Sequence, residues 1–397
     1  MTSADQDRVS RRGVLGTLGA AGALSVAGRA SPAVAQAEWS PAPHPMAERM
    51  FVIDGVAHCY NHAEYNRRIK RAAANSINTT HSYHVSTTPE RYRLTHDQWS
   101  RDWQPDEVMD IMFLESHTDM MIMHSVPMYD LYWDGLVSNE KGASLKGRYP
   151  DRVLWYGALD VFEPLEVIKA NADQLATQGA DGIKIYPTRI NLQTRQPEGW
   201  LMDDEKRAFP VFAYLRSKGF KHVAIHKLVG HVGPATAALG IDDIYKAAAA
   251  FPDLVFHLVH AGWQLFEETA ELMRQRQNVT AVLEGPMLFP LFDMKTFHQM
   301  MSVFMTKVDI DRLIYASTAV NQHPYWIINS FFDYQPPDGA AFKITESDKA
   351  KILGANLARY HGIDIAAQRK KIAGDKWSLA KTANGLREPY IMQRAPA

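Results

Sequence analysis

Short apolar runs alternate with amphipathic segments along most of this chain. Several of the runs are rich in Val and Ile and almost continuously apolar, which is typical of strands buried on both faces. Eight such runs follow residue 49, and they are Met50–Ala57, Asp119–Val126, Val153–Leu159, Gly182–Tyr186, His222–Ile225, Leu254–Val259, Val279–Leu283 and Arg312–Ala316. The pattern therefore predicts eight buried strands.

Helical spacing of apolar residues fills most of the intervals between these strands. The predicted helices are Leu165–Gln178, Asp203–Ser217, Asp242–Ala250, Phe266–Gln277 and Lys295–Val308, and two of them stop before a glycine. Strand and helix alternating about every 30 residues predicts a parallel sheet covered by helices. Eight units favour a closed (β/α)₈ TIM barrel, since the first strand lacks the Gly-rich phosphate turn of open sheets.

One interval is much longer than the others and predicts a helical insertion. Residues 58–117, between the first two strands, hold the basic run 67–71 and several aromatics. Because loops that follow barrel strands lie at one end of the barrel, we expect this insertion to fold over the barrel mouth. The fold class predicted is thus α/β, a single TIM-barrel domain with a helical insertion.

The N-terminal residues predict an export signal rather than a part of the folded domain. Ser10–Leu15 contains a paired arginine, residues 13–28 form a weakly apolar run, and small residues at 33–37 suit cleavage after Ala37. We expect a twin-arginine signal peptide over 1–37, a linker over 38–49, the barrel over 50–364 and an extension over 365–397. The mature chain is expected in the periplasm or outside the cell, with no membrane association after cleavage.

Net charge and cysteine content exclude some classes of partner and site. The 397 residues carry a formal net charge of −1, which gives no electrostatic case for nucleic acid as a partner. Cys59 is the single cysteine, so neither an internal disulfide nor a thiolate zinc cluster is possible. A small-molecule substrate is the partner that this composition favours.

Polar side chains stand where the predicted strands end, the place where barrel enzymes carry their working residues. In chain order these are His58, His124, Asp160, Lys184, His226, His260, Glu284 and the pair Ser317–Thr318. Imidazole is a common metal ligand, and a metal bound with an open position lowers the pKa of its water to about 7. A further histidine beside it can act as general acid or base.

Three segments of the chain resemble sequence motifs of one protein family. The first strand, residues 52–58, resembles an apolar–Asp–x–His–x–His start, and residues 258–262 resemble a His-x-Gly signature. Residues 351–363, KILGANLARYHGI, closely resemble a closing helix. Together they resemble the amidohydrolase superfamily, in the amidohydrolase-related branch that includes aminocarboxymuconate-semialdehyde decarboxylase and resorcylate-type decarboxylases.

The resemblance implies roles for individual residues. His58 and His226 match metal ligands, so zinc or another divalent metal is the implied cofactor. His260 matches the histidine that transfers protons or orients the substrate in this branch. Lys184 stands where relatives often have a lysine, with a salt-bridged structural role as the alternative. Relatives commonly form dimers, so the resemblance suggests a homodimer, while the sequence itself leaves the oligomeric state open.

Two positions depart from the family pattern. Val56 replaces the first histidine of the first strand, and Thr318 replaces the aspartate of the eighth. Two imidazoles alone make a weak metal site. Glu284 is our preferred third ligand; His260 or Asp54 could serve instead, or the site could work without metal, with His323 as a substitute base.

Three readings of the function stay open at this stage. The leading one is an exported hydrolase for a C–N, C–O or activated C–C bond of a small cyclic or aromatic acid. In it His260 and Lys184 are catalytic, and Arg189, His124 and Thr318 contact the substrate, with Arg189 suited to grip a carboxylate. The alternatives are a non-oxidative aromatic acid decarboxylase or lyase, and a barrel that has lost catalysis.

Overall fold

The computed structural model describes residues 38–230 and 237–394. The predicted signal peptide over residues 1–37 lies outside the described residues. None of the helices in the described ranges is long and apolar enough to cross a bilayer.

Ten strands are present in the described chain, and eight of them form a parallel barrel. In chain order they are β1 (Ile53–Ala57), β2 (Met120–His124), β3 (Val153–Ala158), β4 (Gly182–Ile185), β5 (Thr188–Ile190), β6 (Pro197–Gly199), β7 (His222–His226), β8 (Val255–Val259), β9 (Val279–Val282) and β10 (Leu313–Ile314). The barrel order is β1-β2-β3-β4-β7-β8-β9-β10, and β5 and β6 pair as a separate antiparallel hairpin. The predicted TIM barrel is confirmed, with each barrel strand inside or within one residue of its predicted run.

Backbone contacts between β1 and the segment after β10 close the barrel. The amide of Gly55 donates to the carbonyl oxygen of Tyr315 at 3.0 Å, and Ala57 pairs with Ala319 in a parallel bridge. The amide of Thr318 donates to the carbonyl oxygen of Val56 at 3.1 Å. The two positions that depart from the family pattern are therefore direct backbone partners across this closing seam.

Helices surround the barrel and fill the long interval after β1. The α-helices are Lys70–Thr87, His96–Trp99, Pro105–Phe113, Asn139–Arg148, Leu165–Thr177, Ala208–Ser217, Ile244–Ala250, Phe266–Gln275, Phe289–Phe292, Met294–Lys307, Pro324–Asp333, Glu346–Ala350, Asn356–Tyr360, Ile365–Ile372, Lys376–Asn384 and Ile391–Arg394. Short 3₁₀ turns lie at Ala47–Arg49, Glu64–Asn66, Glu90–Tyr92, Ala237–Leu239, Pro286–Leu288 and Ile310–Arg312, and Lys351–Ala355 is π-helical. The predicted helical insertion is confirmed by the first three α-helices.

The predicted helices form because their apolar spacing matches one buried face. In Leu165–Thr177 the buried residues Ile168, Ala172 and Leu175 follow the i, i+4, i+7 spacing. The chain then reaches Gly179, whose φ of +80° suits the left-handed turn that ends a helix. The helix predicted from Asp203 begins five residues later, because residues 203–207 form turns instead.

The closing segment that carried the family resemblance packs against the start of β1. A Cβ at Gly354 would lie 1.8 Å from the carbonyl oxygen of Phe51, so only glycine permits this approach. The side-chain amide of Asn356 donates to the carbonyl oxygens of Ile310 and Leu313, each at 2.8 Å. These contacts give the motif a structural role at the bottom of the barrel.

Hydrogen bonds to one buried carboxylate hold the C-terminal extension against the barrel. Glu115 is fully buried and accepts hydrogen bonds from the Arg387 guanidinium at 2.8 and 3.0 Å. It also accepts from the Tyr390 amide at 2.8 Å and contacts His323 Nε2 at 3.0 Å. His323, considered as a substitute base, is therefore committed to this structural contact.

The lower barrel interior contains a hydrogen-bonded cluster of neutral polar rings. His257 lies 3.1 Å from His222 Nδ1 through its Nε2 and 2.8 Å from Thr280 Oγ1 through its Nδ1. The Tyr156 hydroxyl lies 2.9 Å from His361 Nε2 and 3.3 Å from His257 Nε2. Burial lowers the pKa of His222 to about 4 and that of His361 to about 3. The folded state therefore favours neutral imidazoles here.

This cluster predicts a loss of stability in mild acid. A histidine with a lowered folded-state pKa binds more protons when unfolded, so stability is present above about pH 6.5 and falls as the pH drops toward 4. For His222 the loss by pH 4 is about 3 kcal/mol. Urea unfolding between pH 7 and 4 should show it. The variant His222→Gln should take up about one proton fewer on unfolding than the wild type. The control His96→Gln changes an exposed histidine and should leave this uptake unchanged. Equal slopes of unfolding free energy against pH for the wild type and both variants would contradict the cluster's role.

Candidate active site

A cavity of about 400 Å³ opens at the ends of the barrel strands. His58, His226, His260 and Glu284 lie together on its lining. The insertion helix Lys70–Thr87 forms one wall, and aromatic side chains that include Tyr60, Tyr186 and Trp263 form another. The cavity thus stands where working residues of TIM barrels are found.

Four predicted residues from four strands meet in this cavity. His260 Nε2 lies 3.2 Å from His226 Nδ1 and 3.9 Å from Glu284 Oε2. His58 Nε2 lies 3.6 Å from the other carboxylate oxygen of Glu284. Residues at 58, 226, 260 and 284 are far apart in sequence, so only the barrel closure brings them into contact.

Left-handed backbone at two strand ends turns side chains toward the cavity. His260 has a φ of +66° and Thr318 a φ of +70°, a conformation that costs free energy for residues other than glycine. Both residues line the cavity. Non-glycine strain at a strand end is a common property of functional sites.

Backbone carbonyl groups fix the tautomer of each imidazole. His58 Nδ1 donates to the carbonyl oxygen of His124 at 3.1 Å, and His226 Nε2 donates to that of Val229 at 2.7 Å. His260 Nδ1 donates to the carbonyl oxygen of Glu284 at 3.2 Å. Because a carbonyl oxygen can only accept, each neutral ring turns the lone pair of its other nitrogen toward the cavity.

The inner nitrogens and the Glu284 carboxylate form a cluster of acceptors that attracts a cation. The ammonium of Lys184, which is fully buried inside the barrel, interacts electrostatically with Glu284. Burial lowers the pKa of Lys184 to about 8, and Glu284 opposes that shift. Burial alone would raise the pKa of Glu284, but His260, His58 and Lys184 lower it to about 2. Glu284 is therefore an anion at neutral pH.

The paired imidazoles His226 and His260 are suited to receive a proton. Their facing nitrogens are 3.2 Å apart, a distance at which two lone pairs repel and one shared proton forms a hydrogen bond. Burial lowers the pKa of His260 while Glu284 raises it, with a net decrease. The pair can therefore accept one proton between its facing nitrogens and act as a base.

A metal ion does not fit these side chains as they are arranged. In the described ranges, no group of three or more His, Cys, Asp and Glu side chains is placed to hold a metal ion. Val56 and Thr318 offer no ligand at the closing seam, His226 Nε2 is held by the Val229 carbonyl group, and His226 Nδ1 faces His260 Nε2 at 3.2 Å. We therefore derive no step through zinc or another divalent metal at His58, His226 and Glu284.

The other predicted site residues lie in different surroundings. Thr318 lines the cavity. His124 is buried below it, where its carbonyl group holds His58 and its ring stacks on Tyr156. The guanidinium of Arg189 is 2.5 Å from Glu198 and outside the cavity lining. Asp54, considered as a ligand, is held below the site by the Ser317 amide at 3.0 Å.

Two tyrosines that the sequence analysis did not select belong to the site. Tyr60 stacks on His58 with ring centres 5.1 Å apart, and Tyr186 stacks on His226 at 4.1 Å. Burial raises the pKa of both phenols well above 10, so they keep their protons. Their position two residues after His58 and Lys184 was the available signal, since alternate residues of an extended chain share a side.

A buried ion pair positions the loop that holds His226. Lys227 Nζ lies 2.7 and 2.8 Å from the two carboxylate oxygens of Asp243 and donates to the carbonyl oxygen of Ala238 at 2.7 Å. Lys227 follows His226 directly and precedes Val229, whose carbonyl group fixes the His226 tautomer. The pair therefore anchors both sides of the loop that orients this imidazole.

Comparison with known proteins identifies relatives of the barrel. A protein-family model described as Amidohydrolase matches residues 83–362. A search of curated proteins finds no match.

Solved structures share the architecture at low sequence identity. The TIM-barrel protein Bb4693 from Bordetella bronchiseptica is 17% identical with a TM-score of 0.56, over 81% of this chain and 100% of that one. The 5-carboxyvanillate decarboxylase from Sphingomonas paucimobilis is 15% identical with a TM-score of 0.50, over 79% and 100%. The 2,6-dihydroxybenzoate decarboxylase from Rhizobium is 13% identical with a TM-score of 0.50, over 78% and 98%. At these identities the likeness establishes the fold alone.

Removing the buried cation should destabilise the protein and disturb the site. Lys227→Met leaves Asp243 buried without its partner, a change that typically costs about 3–5 kcal/mol. Urea unfolding should show this loss. The matched control is Lys169→Met, which breaks an exposed ion pair with Glu166 and should cost less than about 1 kcal/mol. Similar losses in both variants would contradict the anchoring role.

Proposed function

This chain belongs to the amidohydrolase family, and from that premise we propose that it is a hydrolase using acid–base catalysis. The bond cleaved is a C–O or C–N bond next to a carbonyl group, in a small cyclic or aromatic compound. The observation that carries this proposal is the meeting of three tautomer-fixed imidazoles with one carboxylate in a cavity at the strand ends.

The imidazole pair supplies the base that hydrolysis needs. In the proposed reaction His260 and His226 take a proton from water, and the hydroxide attacks the carbonyl carbon of the substrate. The carboxylate of Glu284, 3.9 Å from His260 Nε2, stabilises the positive charge that the pair then carries. The pair returns the proton to the leaving oxygen or nitrogen as the tetrahedral intermediate collapses.

Three further groups support this reaction. Tyr60 lines the cavity and keeps its phenolic proton, so we assign it as a donor to the oxyanion that forms during attack. Lys184 offsets the charge of Glu284 from inside the barrel, and its role is to keep that carboxylate ionised. His58, held by the His124 carbonyl group, positions the opposite oxygen of Glu284.

Decarboxylation is the second candidate, and the aromatic wall favours it. Tyr60, Tyr186 and Trp263 would hold a flat ring, and the same imidazole pair could protonate a ring carbon as CO₂ leaves. We rank it second because no Lys or Arg is among the described residues that line the cavity, and a leaving carboxylate needs a cation to orient it.

A substrate screen separates these candidates. Esters, lactones and amides of small aromatic and cyclic compounds should release acid, whereas phenolic acids should release no CO₂. The variant His260→Ala should slow acid release by about 10²-fold or more if the imidazole transfers protons. Release of CO₂ from phenolic acids would instead support the decarboxylase. No turnover in either assay would support a barrel that has lost catalysis.

Removal of metal should leave the activity unchanged. Since the described side chains form no group placed to hold a metal ion, the proposed reaction uses the imidazole pair alone to generate the nucleophile. Elemental analysis of purified protein should find less than about a tenth of an equivalent of zinc or manganese, and chelator should not alter turnover. Stoichiometric metal together with loss of activity in chelator would restore the metal-dependent mechanism at His58, His226 and Glu284.

A further inference from the structure

The cavity carries almost no charge. Glu284 is the single charged side chain among the described residues that line it, and the nearby ammonium of Lys184 offsets that charge from inside the barrel. A carboxylate bound here would approach Glu284 without a cation on the described lining to pair with it. Burial of an unpaired charge is unfavourable, so the site disfavours anionic ligands.

One wall consists of neutral hydrogen-bonding groups. Asn75, Ser76, Thr79 and Thr80 on the insertion helix line the cavity, and their spacing places them on one helix face. The Thr79 hydroxyl donates to the carbonyl oxygen of Asn75 at 2.9 Å, which leaves its lone pairs as acceptors. This face can therefore accept hydrogen bonds from a ligand without contributing charge.

Two buried oxygen atoms on the cavity lining lack a hydrogen-bond donor in the described structure. Asn321 Oδ1 and Glu284 Oε2 have no hydrogen-bond partner within the described structure. Asn321 is 6% exposed and Glu284 is 3% exposed, so bulk water reaches neither freely. Buried acceptors are normally satisfied, and both residues face the cavity in which the substrate would bind.

We propose that the substrate is an uncharged cyclic or aromatic compound bearing hydroxyl groups. This inference rests on the proposed function in placing the substrate in this cavity. The ligand hydroxyls donate to Asn321 and to the polar wall, while its ring packs on the aromatic side chains of the lining. The specificity-determining residues are therefore Asn321 and Thr79, and Arg189, paired with Glu198, takes no part.

Calorimetric titration with four matched ligands tests the preference without turnover. The ligands are 3,4-dihydroxyacetophenone, 3,4-dihydroxybenzoate and the dimethoxy analogue of each, which vary charge and hydroxyl groups separately. The neutral dihydroxy ketone should bind at least about tenfold more tightly than each of the other three ligands. A site built to pair with hydroxyls rejects the two dimethoxy analogues, which lack them. The dihydroxy acid is disfavoured because its carboxylate would be buried without a cation. Tighter binding of the acid, or equal or undetectable binding of all four, would overturn the proposal.

Variants assign the preference to individual residues. Asn321→Leu should reduce the affinity for the dihydroxy ketone about tenfold and leave the dimethoxy ketone unchanged, because only the former donates hydrogen bonds. Thr79→Val, a near-isosteric change at the exposed end of the wall, gives a second measurement if the buried variant misfolds. Arg189→Met is the control and should leave all four affinities unchanged; selective loss of acid binding would assign carboxylate recognition to Arg189 and overturn the proposal.

The titration tests the substrate class and the activity screen tests the reaction, so one proposal can be rejected without the other. Hydrolysis of charged esters with no preference for the neutral ketone would leave the proposed reaction and reject this substrate class. Preference for the ketone in a protein that hydrolyses no ester or amide would support the ligand class and reject the reaction.

Discussion

The site depends on hydrogen bonds from three imidazole rings to three backbone carbonyl groups. The carbonyls of His124, Val229 and Glu284 each hold an outer N–H, so each ring must turn its other nitrogen inward. A carbonyl oxygen has no proton to give, and this restriction decides which nitrogen of each neutral ring carries the proton. The facing nitrogens of His226 and His260 and the approach of His58 Nε2 to Glu284 follow from it.

The two departures from the family pattern occupy one side of the site. Val56 and Thr318 are joined by a backbone hydrogen bond across the seam between β1 and the segment after β10. The seam therefore lacks both ligating side chains, while His226, His260 and Glu284 come from the adjacent strands β7, β8 and β9. The clustered groups therefore extend from β7 to β9, and β9 lies beside β10 at the seam.

Much of this arrangement could be predicted from the sequence. Alternating strand and helix patterns gave the barrel, and strand ends then identified His58, His226, His260 and Glu284 as neighbours. The ion pairs could not be predicted in the same way, because Arg189 meets Glu198 through a hairpin and Lys227 meets Asp243 across a loop. Neither hairpin nor loop geometry is encoded in hydrophobic periodicity, and side-chain pairing depends on that geometry.

The carboxylate of Glu115 has a consequence for the order in which the molecule is assembled. Its donors at Arg387 and Tyr390 follow it by 272 and 275 residues, so they leave the ribosome long after it. Until they arrive, this carboxylate lacks these native donors, so the native packing around it must wait for the synthesis of residue 390. Nascent chains that stall before residue 387 would remain open at this point and accessible to chaperones.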